Sequence, residues 1–290
     1  MRSTNTIIAL VVAILLAIVS FVVLSFVGLG GERGDGAPIT GGYYLQESAT
    51  PVMDDLVKVY NLVTYIIAGI VAVVLGLMAF IMIRFREKAN PIPSKTSHHV
   101  GLEVVWTIIP VLILVAIAIP SMNLLYKQDV IKDTELTIKA VGDTWNWTYS
   151  YPDYENVEEF LASPLNKQES KAAGKPYLLG TDAPLVVPVD TNVKVLVTSL
   201  TNMHAWTVPS FGIKMDAVPG IVNETWFRAT REGTFYGQCS EICGVKHYYM
   251  PIEVKVVSKA EYAKWVANDG AFISSQAKNN LGSGQTAAQK

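Results

Sequence analysis

The sequence predicts two architectures in one chain: a transmembrane helical hairpin and, after it, an all-β sandwich or barrel. Mean hydropathy over the 290 residues is positive, +0.31, which points to membrane segments. Three apolar runs, at residues 7–27, 62–83 and 104–125, each approach the roughly 20 residues that a helix needs to cross the hydrocarbon layer. From about residue 127 these runs stop, and short segments of alternating apolar and polar residues take over.

The first run lies in a segment, residues 1–30, with two readings. Arg2 ahead of it and Gly28, Gly30 and Gly31 after it suit a signal peptide. Its length exceeds the roughly 7–15 apolar residues usual there, and no Ala-x-Ala site is visible, which suits a retained extra helix. Residues 31–56 are expected as an outer N-terminal segment. From residue 34 to 57 there is no Lys or Arg, while Asp35, Glu47, Asp54 and Asp55 are present.

Residues 57–126 are expected as a two-helix hairpin. The loop 84–103 between its apolar runs carries Arg84, Arg86, Lys88 and Lys95, and basic residues favour the cytoplasmic side. His98 and His99 read as plain loop residues. Residue 127 onward then lies outside a cytoplasmic membrane; of a bacterial inner (plasma) membrane and an inner mitochondrial one, the leader-like start, the insertion at 156–180 and the long tail favour the bacterial.

Residues 127–268 are expected as the β domain. Segments 136–141 and 193–198 alternate as half-buried strands do, and 145–149, 185–188, 234–236 and 252–257 read likewise. Turn residues such as Pro209-Ser210 and Pro219-Gly220 separate them, as in a sandwich or barrel. Residues 156–180, rich in Glu, Lys, Ser and Ala, read as a partly helical surface insertion. A short helix over 259–268 would turn Tyr262, Trp265 and Val266 inward, and residues 269–290 have the composition of a disordered tail.

Chemistry concentrates in twelve residues, Cys239 to Met250, which hold both cysteines, one of four histidines and one of eight methionines. Two cysteines in a domain outside the cytoplasm ordinarily suggest a disulfide. Here the bridge would close a tiny loop and remove little unfolded-state entropy. Thiols, imidazole and thioether together form a soft set suited to copper. His204 and His247 are the only histidines of the outer domain. Two thiolates can bridge two metal ions, with one imidazole for each ion, Met250 as an axial group on one and a backbone carbonyl on the other. Such a site moves electrons and does no bond chemistry.

These residues resemble a known family. Tyr236-Gly-Gln-Cys-Ser-Glu-Ile-Cys-Gly, followed by His247, Met250 and Pro251, is similar to the dinuclear copper-A signature of cytochrome c oxidase subunit II. The resemblance extends to His204-Ala-Trp-Thr-Val-Pro-Ser-Phe-Gly, to Lys214-Met-Asp-Ala-Val-Pro-Gly220 and to Glu103-Val-Val-Trp-Thr-Ile-Ile-Pro110, and covers roughly residues 48–265. It implies a cupredoxin-like Greek-key fold. It implies two copper ions held by His204, Cys239, Cys243, His247, Met250 and the backbone carbonyl of Glu241. The Glu241 carboxylate would hold a magnesium ion shared with subunit I. Trp145 would be the electron-entry residue, and Glu103 the inner mouth of a proton path into subunit I.

The same resemblance implies a terminal oxidase with cytochrome c as donor, haem and oxygen chemistry in subunit I, proton pumping, and subunits I and III with membrane lipid as neighbours. No nucleic-acid partner is expected. Asp143, Asp153, Glu155, Glu158 and Glu159 form a run of acids without a base. Asp153, Glu155 and Glu158 would steer a basic cytochrome by complementary charge. The chain departs from the family's usual pattern at Asp143, Thr144 and Asn146. A quinol oxidase subunit would lack the ligand set. A membrane-tethered copper chaperone predicts a thioredoxin-like βαβ order that the strand-rich domain does not show. A disulfide-bonded structural ectodomain is the remaining alternative.

Overall fold

The computed structural model describes residues 45–271 except Pro93 and Lys132, together with Gly36, Ala37 and Ile39. The expected leader 1–30, most of the outer segment before residue 45, and the tail after residue 271 lie outside the described residues. The chain divides into a helical unit centred on residues 55–127 and a β-rich unit that includes residues 46–54 and 128 onward.

The helical unit holds α1 (Pro51–Arg84) and α2 (Val100–Asp129). At 1.5 Å per residue, 34 and 30 residues run about 51 and 45 Å, longer than a hydrocarbon layer of about 30 Å. Ile70, Leu77 and Phe80 of α1 and Ile108, Leu112 and Leu114 of α2 are all exposed, as expected for helices solvated by lipid. Pro110 and Pro120 sit inside α2, a placement that membrane helices tolerate.

Helix α1 starts well before its apolar run because Pro51 occupies the first turn and Thr50 Oγ1 accepts from Met53 N at 3.0 Å. At the start of α2, His99 is more than a loop residue. Its carbonyl accepts from Leu102 N and Glu103 N, and its ring Nδ1 lies 3.3 Å from Leu102 N, so it caps the helix. Asp55 forms ion pairs with Lys58 at 2.8 Å and with Lys127 of α2, which ties the ends of the two helices together.

The β unit contains ten strands among the described residues. They are β1 (Leu136–Asp143), β2 (Asn146–Ser150), β3 (Phe160–Ala162), β4 (Leu185–Pro188), β5 (Val193–Ser199), β6 (His204–Val208), β7 (Ile213–Ala217), β8 (Asn223–Phe227), β9 (Gly233–Gln238) and β10 (Pro251–Val257). One sheet runs β3-β2-β1-β5-β8, a second β4-β10-β9, and β6-β7 form a two-stranded ribbon. The β1–β5 and β10–β4 pairs are parallel and the others antiparallel. Burial alternates strictly along β5, so Val193, Val195 and Val197 face the core. Aromatic rings fill the interior: Phe211 lies 4.8 Å from Phe227 and 5.0 Å from Phe235, centroid to centroid.

The segment 156–180 is not free of strand: β3 lies within it, paired with β2, and α3 (Lys167–Ala172) follows. Helix α4 (Lys259–Ala267) closes the unit, with Tyr262 and Trp265 buried and Ser258 as its N-cap. The outer segment is strapped on, with Ala49 N donating to Ser210 O and Thr230 N to Ala49 O, both at 2.9 Å. Thr50 Oγ1 donates to Phe211 O at 2.7 Å.

Candidate metal centre

Three pieces of chain meet at one end of the β unit. Strand β6 begins with His204, which is fully buried. Strand β9 ends at Gln238, and the loop from Cys239 to Met250 joins it to β10. The loop is closed at its base by Cys239 N donating to Met250 O at 3.0 Å and held to β6 by Ser240 N donating to Ala205 O at 3.2 Å. Gly244, at φ +113°, makes a turn in a left-handed conformation that L side chains rarely adopt.

The polar atoms line up in order. His204 Nδ1 lies 3.7 Å from Cys239 Sγ, Cys239 Sγ 3.9 Å from Cys243 Sγ, and Cys243 Sγ 3.5 Å from His247 Nδ1. The carbonyl of Glu241 is 3.3 Å from Cys239 Sγ. Met250 is fully buried at the end of the loop, and its carbonyl receives the Cys239 amide. The ligand atoms of His204, Cys239 and Cys243 all lie within 4.8 Å of one another.

The donor set fits a soft metal ion. The sulfurs are 3.9 Å apart and both thiols are free, far from the 2.05 Å of a disulfide. That spacing is well under twice a metal–thiolate bond of about 2.3 Å, so one ion can touch both sulfurs. Burial, then the neighbouring Cys239, pushes the Cys243 thiol up to about 12, so metal binding must displace a proton. Burial pushes His204 below its ordinary value, which favours the neutral imidazole that metals bind.

Around this cluster stand residues to which the sequence reading gave no part in building it. Asn202 Nδ2 donates to Cys243 O at 3.4 Å. A Cβ on Gly142 would sit 2.9 Å from the His204 ring, so β1 approaches that imidazole as only glycine allows. Trp147 packs edge-on to His204 at 6.0 Å. Asp143, seen in the sequence as one acid of a run, organises the β1–β2 turn: its Oδ1 accepts from Thr144 N at 2.8 Å and Thr201 Oγ1 at 3.0 Å. These hydrogen bonds, that of Thr144 foremost, hold its carboxyl below the usual range. A local Asp-Thr pair was the one available signal, whereas Asn202 and Gly142 depend on contacts across distant chain.

Trp145, half-buried in that turn, donates from Nε1 to Cys243 O at 3.2 Å, and Lys246 Nζ lies 5.7 Å from its ring centroid. Asp153 is exposed, and its Oδ2 accepts from Thr137 N at 2.6 Å; Glu155 and Glu158 are exposed. Glu103 stands in the first turn of α2, in the helical unit. The tip of the Cys239–Met250 loop exposes Ile242, Val245 and Tyr248 at 82%, 85% and 63%.

The family model described as the cytochrome c oxidase subunit II periplasmic domain matches residues 136–257, and the one for its transmembrane domain matches residues 38–124. The chain belongs to the cytochrome c oxidase subunit II family. It is 44% identical over 230 residues to the probable cytochrome c oxidase subunit 2 of Rickettsia prowazekii (strain Madrid E), an alignment that covers 79% of this chain and 73% of the relative. It is 43% identical over 246 residues to cytochrome c oxidase subunit 2 of Cereibacter sphaeroides, covering 80% and 81%. The crystal structure of the periplasmic domain of subunit II of cytochrome oxidase of Bradyrhizobium japonicum is 44% identical, with a TM-score of 0.44 over 48% of this chain and 96% of that one. As a member of this family, the chain is a membrane protein with an external cupredoxin-like domain, and one subunit of a cytochrome c oxidase.

Proposed function

We propose that this subunit II accepts electrons from a c-type cytochrome and delivers them to haem in subunit I, where oxygen is reduced to water and protons are pumped. The carrying observation is the order imidazole–thiol–thiol–imidazole, in which each sulfur has its own ring nitrogen within 3.7 Å. When bound, a dinuclear copper-A centre supplies one-electron storage with little change of geometry. His204, Cys239, Cys243, His247 and Met250 would hold it, with the Glu241 carbonyl as a further donor. That carbonyl turns toward Cys239, which leaves the Glu241 carboxylate, a hard oxygen donor, for magnesium at the contact with subunit I.

Trp145 is the proposed entry point, since its indole N–H joins the partly exposed ring to the carbonyl of Cys243 through a single hydrogen bond. Trp145→Phe keeps a ring but deletes that bond. Electron entry from reduced cytochrome c is expected to slow about tenfold, roughly 1.4 kcal/mol on the barrier, while copper content stays at the wild-type level. Stopped-flow reduction and metal analysis check both halves, and copper loss would make Trp145 a structural residue instead.

Asp153, Glu155 and Glu158 would steer the donor. The rate of association with cytochrome c is therefore expected to fall steeply as ionic strength rises toward 0.15 M, where screening reaches about 8 Å. Glu155→Gln/Glu158→Gln should flatten that dependence in a salt series. Asp153 also has a structural task in holding Thr137, so it is left out of this test.

Glu103 is proposed as the inner entrance of a proton path into subunit I. Subunit III is proposed as a further neighbour, the β unit as periplasmic, and loop 84–103 as cytoplasmic at a bacterial plasma membrane. The exposed Ile242, Val245 and Tyr248 are the kind of apolar tips that a partner surface covers. The direct test loads the full chain with copper in detergent. A copper-to-chain ratio of a dinuclear centre and a mixed-valence absorption spectrum support the reading. A colourless protein with a Cys239–Cys243 disulfide and no copper affinity sinks it in favour of a structural ectodomain.

A further inference from the structure

Residues 163–182 form a closed excursion from the β unit. Asp182 N donates to Ser163 O at 3.0 Å, Leu165 N to Gly180 O at 3.1 Å, and Ser163 N to Asp182 Oδ1 at 2.7 Å, so its neck is pinned. Helix α3 inside it is capped by Asn166, whose side chain accepts from Gln168 N and Glu169 N while Glu169 Oε2 accepts from Asn166 N. The excursion is therefore ordered, and where it is fastened matters.

Its anchor is Glu253 on β10, only 3% exposed. Lys175 Nζ lies 2.9 Å from Oε1 and 3.0 Å from Oε2, and Thr181 donates to Oε2 from N at 2.7 Å and from Oγ1 at 3.2 Å. A carboxylate this deep is costly unless it is paired and hydrogen-bonded, and these donors all belong to the excursion. The same segment meets both flanks of the metal loop. The Tyr177 ring lies 6.4 Å from the ring of Tyr249, which sits between His247 and Met250. Leu178 O accepts from Nε2 of Gln238, the residue before Cys239, at 3.5 Å. Leu178 holds φ +72° to make that approach, a conformation that survives in a branched residue only where its surroundings fix it.

We propose that residues 163–182 are a clasp on the metal loop, with Lys175 and Tyr177 as positioning residues. Glu253 fastens the clasp to the strand that follows Met250, and Tyr177 braces the turn that carries His247. The clasp thereby sets how readily the loop opens and releases its metal. The part concerning metal rests on the copper reading; the part concerning the loop does not.

The test uses the full chain in detergent and two clasp variants, Tyr177→Ala and the neutral double replacement Lys175→Met/Glu253→Gln. Asn156→Ala serves as control, because the bonds it removes, from Asn156 Nδ2 to Val266 O at 2.6 Å and to Asp269 Oδ1 at 3.3 Å, lie at the α4 end of the unit. In the metal-free chain, amide exchange in peptides covering residues 239–250 is expected to quicken about tenfold in the clasp variants and not in the control. In the copper-loaded chain, release into excess chelator is expected to quicken about tenfold for Tyr177→Ala, the lower end of what lost support around a metal costs. Tyr177→Phe, which keeps the ring, should restore wild-type release. Unchanged exchange across 239–250 overturns the proposal. So does a control that loses copper as fast as the clasp variants at an equal drop in thermal midpoint. A wild-type chain that takes up no copper refutes the copper reading, and the exchange result still decides the clasp.

Discussion

Cys239→Ser is expected to give a folded chain with the metal centre lost. The sulfur of Cys239 is the hub of the cluster, 3.7 Å from His204, 3.9 Å from Cys243 and 3.3 Å from the Glu241 carbonyl. Serine nearly matches its shape in the buried position, so packing survives. A hydroxyl is a hard donor that stays protonated near neutral pH, and it cannot bridge soft ions as a thiolate does. Copper affinity should fall by more than about 100-fold, beyond the 10–100-fold typical of groups that only orient ligands. Dialysis against a competing chelator followed by metal analysis measures the loss, and circular dichroism checks the fold. A variant that keeps its copper and its visible spectrum would show that Cys239 does not bridge.

The second large effect concerns Gly237→Ala, a change of one methyl group two residues before that cysteine. A Cβ there would stand 1.8 Å from the Thr207 carbonyl oxygen and 3.2 Å from Val208 Cα, both backbone atoms of β6. No rotamer relieves a clash with backbone, so β9 and β6 must separate. The cost is expected at about 3 kcal/mol or more, the upper end for overpacking. For a unit of this size that is a fall of roughly 6–12 °C in the unfolding midpoint. Because β6 carries His204 and the seam holds the Ser240–Ala205 bond, copper affinity should fall with stability. Gly69→Ala, where a Cβ meets nothing within 4 Å beyond its chain neighbours and the backbone of its own helix, should leave the midpoint nearly unchanged in the same thermal melt.

The Cys239–Met250 loop was legible in the sequence as a candidate metal site because its soft donors lie within twelve residues and are chemically unusual together. The apolar runs were legible for a similar reason, since lipid demands the same property from every residue of a helix. What hydropathy reports is the part of a helix that lipid touches, so it marked residue 62 and missed the start at Pro51. The signals for that start, Thr50 and the proline after it, are capping chemistry. Strand β3 was hidden because three residues at a sheet edge carry no alternation long enough to read. Asn202, Gly142 and Lys175 matter through partners 41, 62 and 78 positions away, and a single sequence contains no trace of such meetings. His99 shows the reverse error, in which an ordinary loop residue proves to be a helix cap.

The strap formed by residues 46–54 has a consequence for the order in which the molecule is made. Ala49 and Thr50 leave the ribosome early, yet their partners Ser210, Phe211 and Thr230 emerge about 160 to 180 positions later. The first-made edge of the β unit must therefore wait, its donors and acceptors bonded to water, until nearly all the strands exist. Since the cysteines follow Thr230, they are synthesised just as the base of the unit becomes able to close. Assembly of the metal loop and sealing of the domain thus fall in the same late interval of synthesis, and a chain that stalls before residue 230 can complete neither.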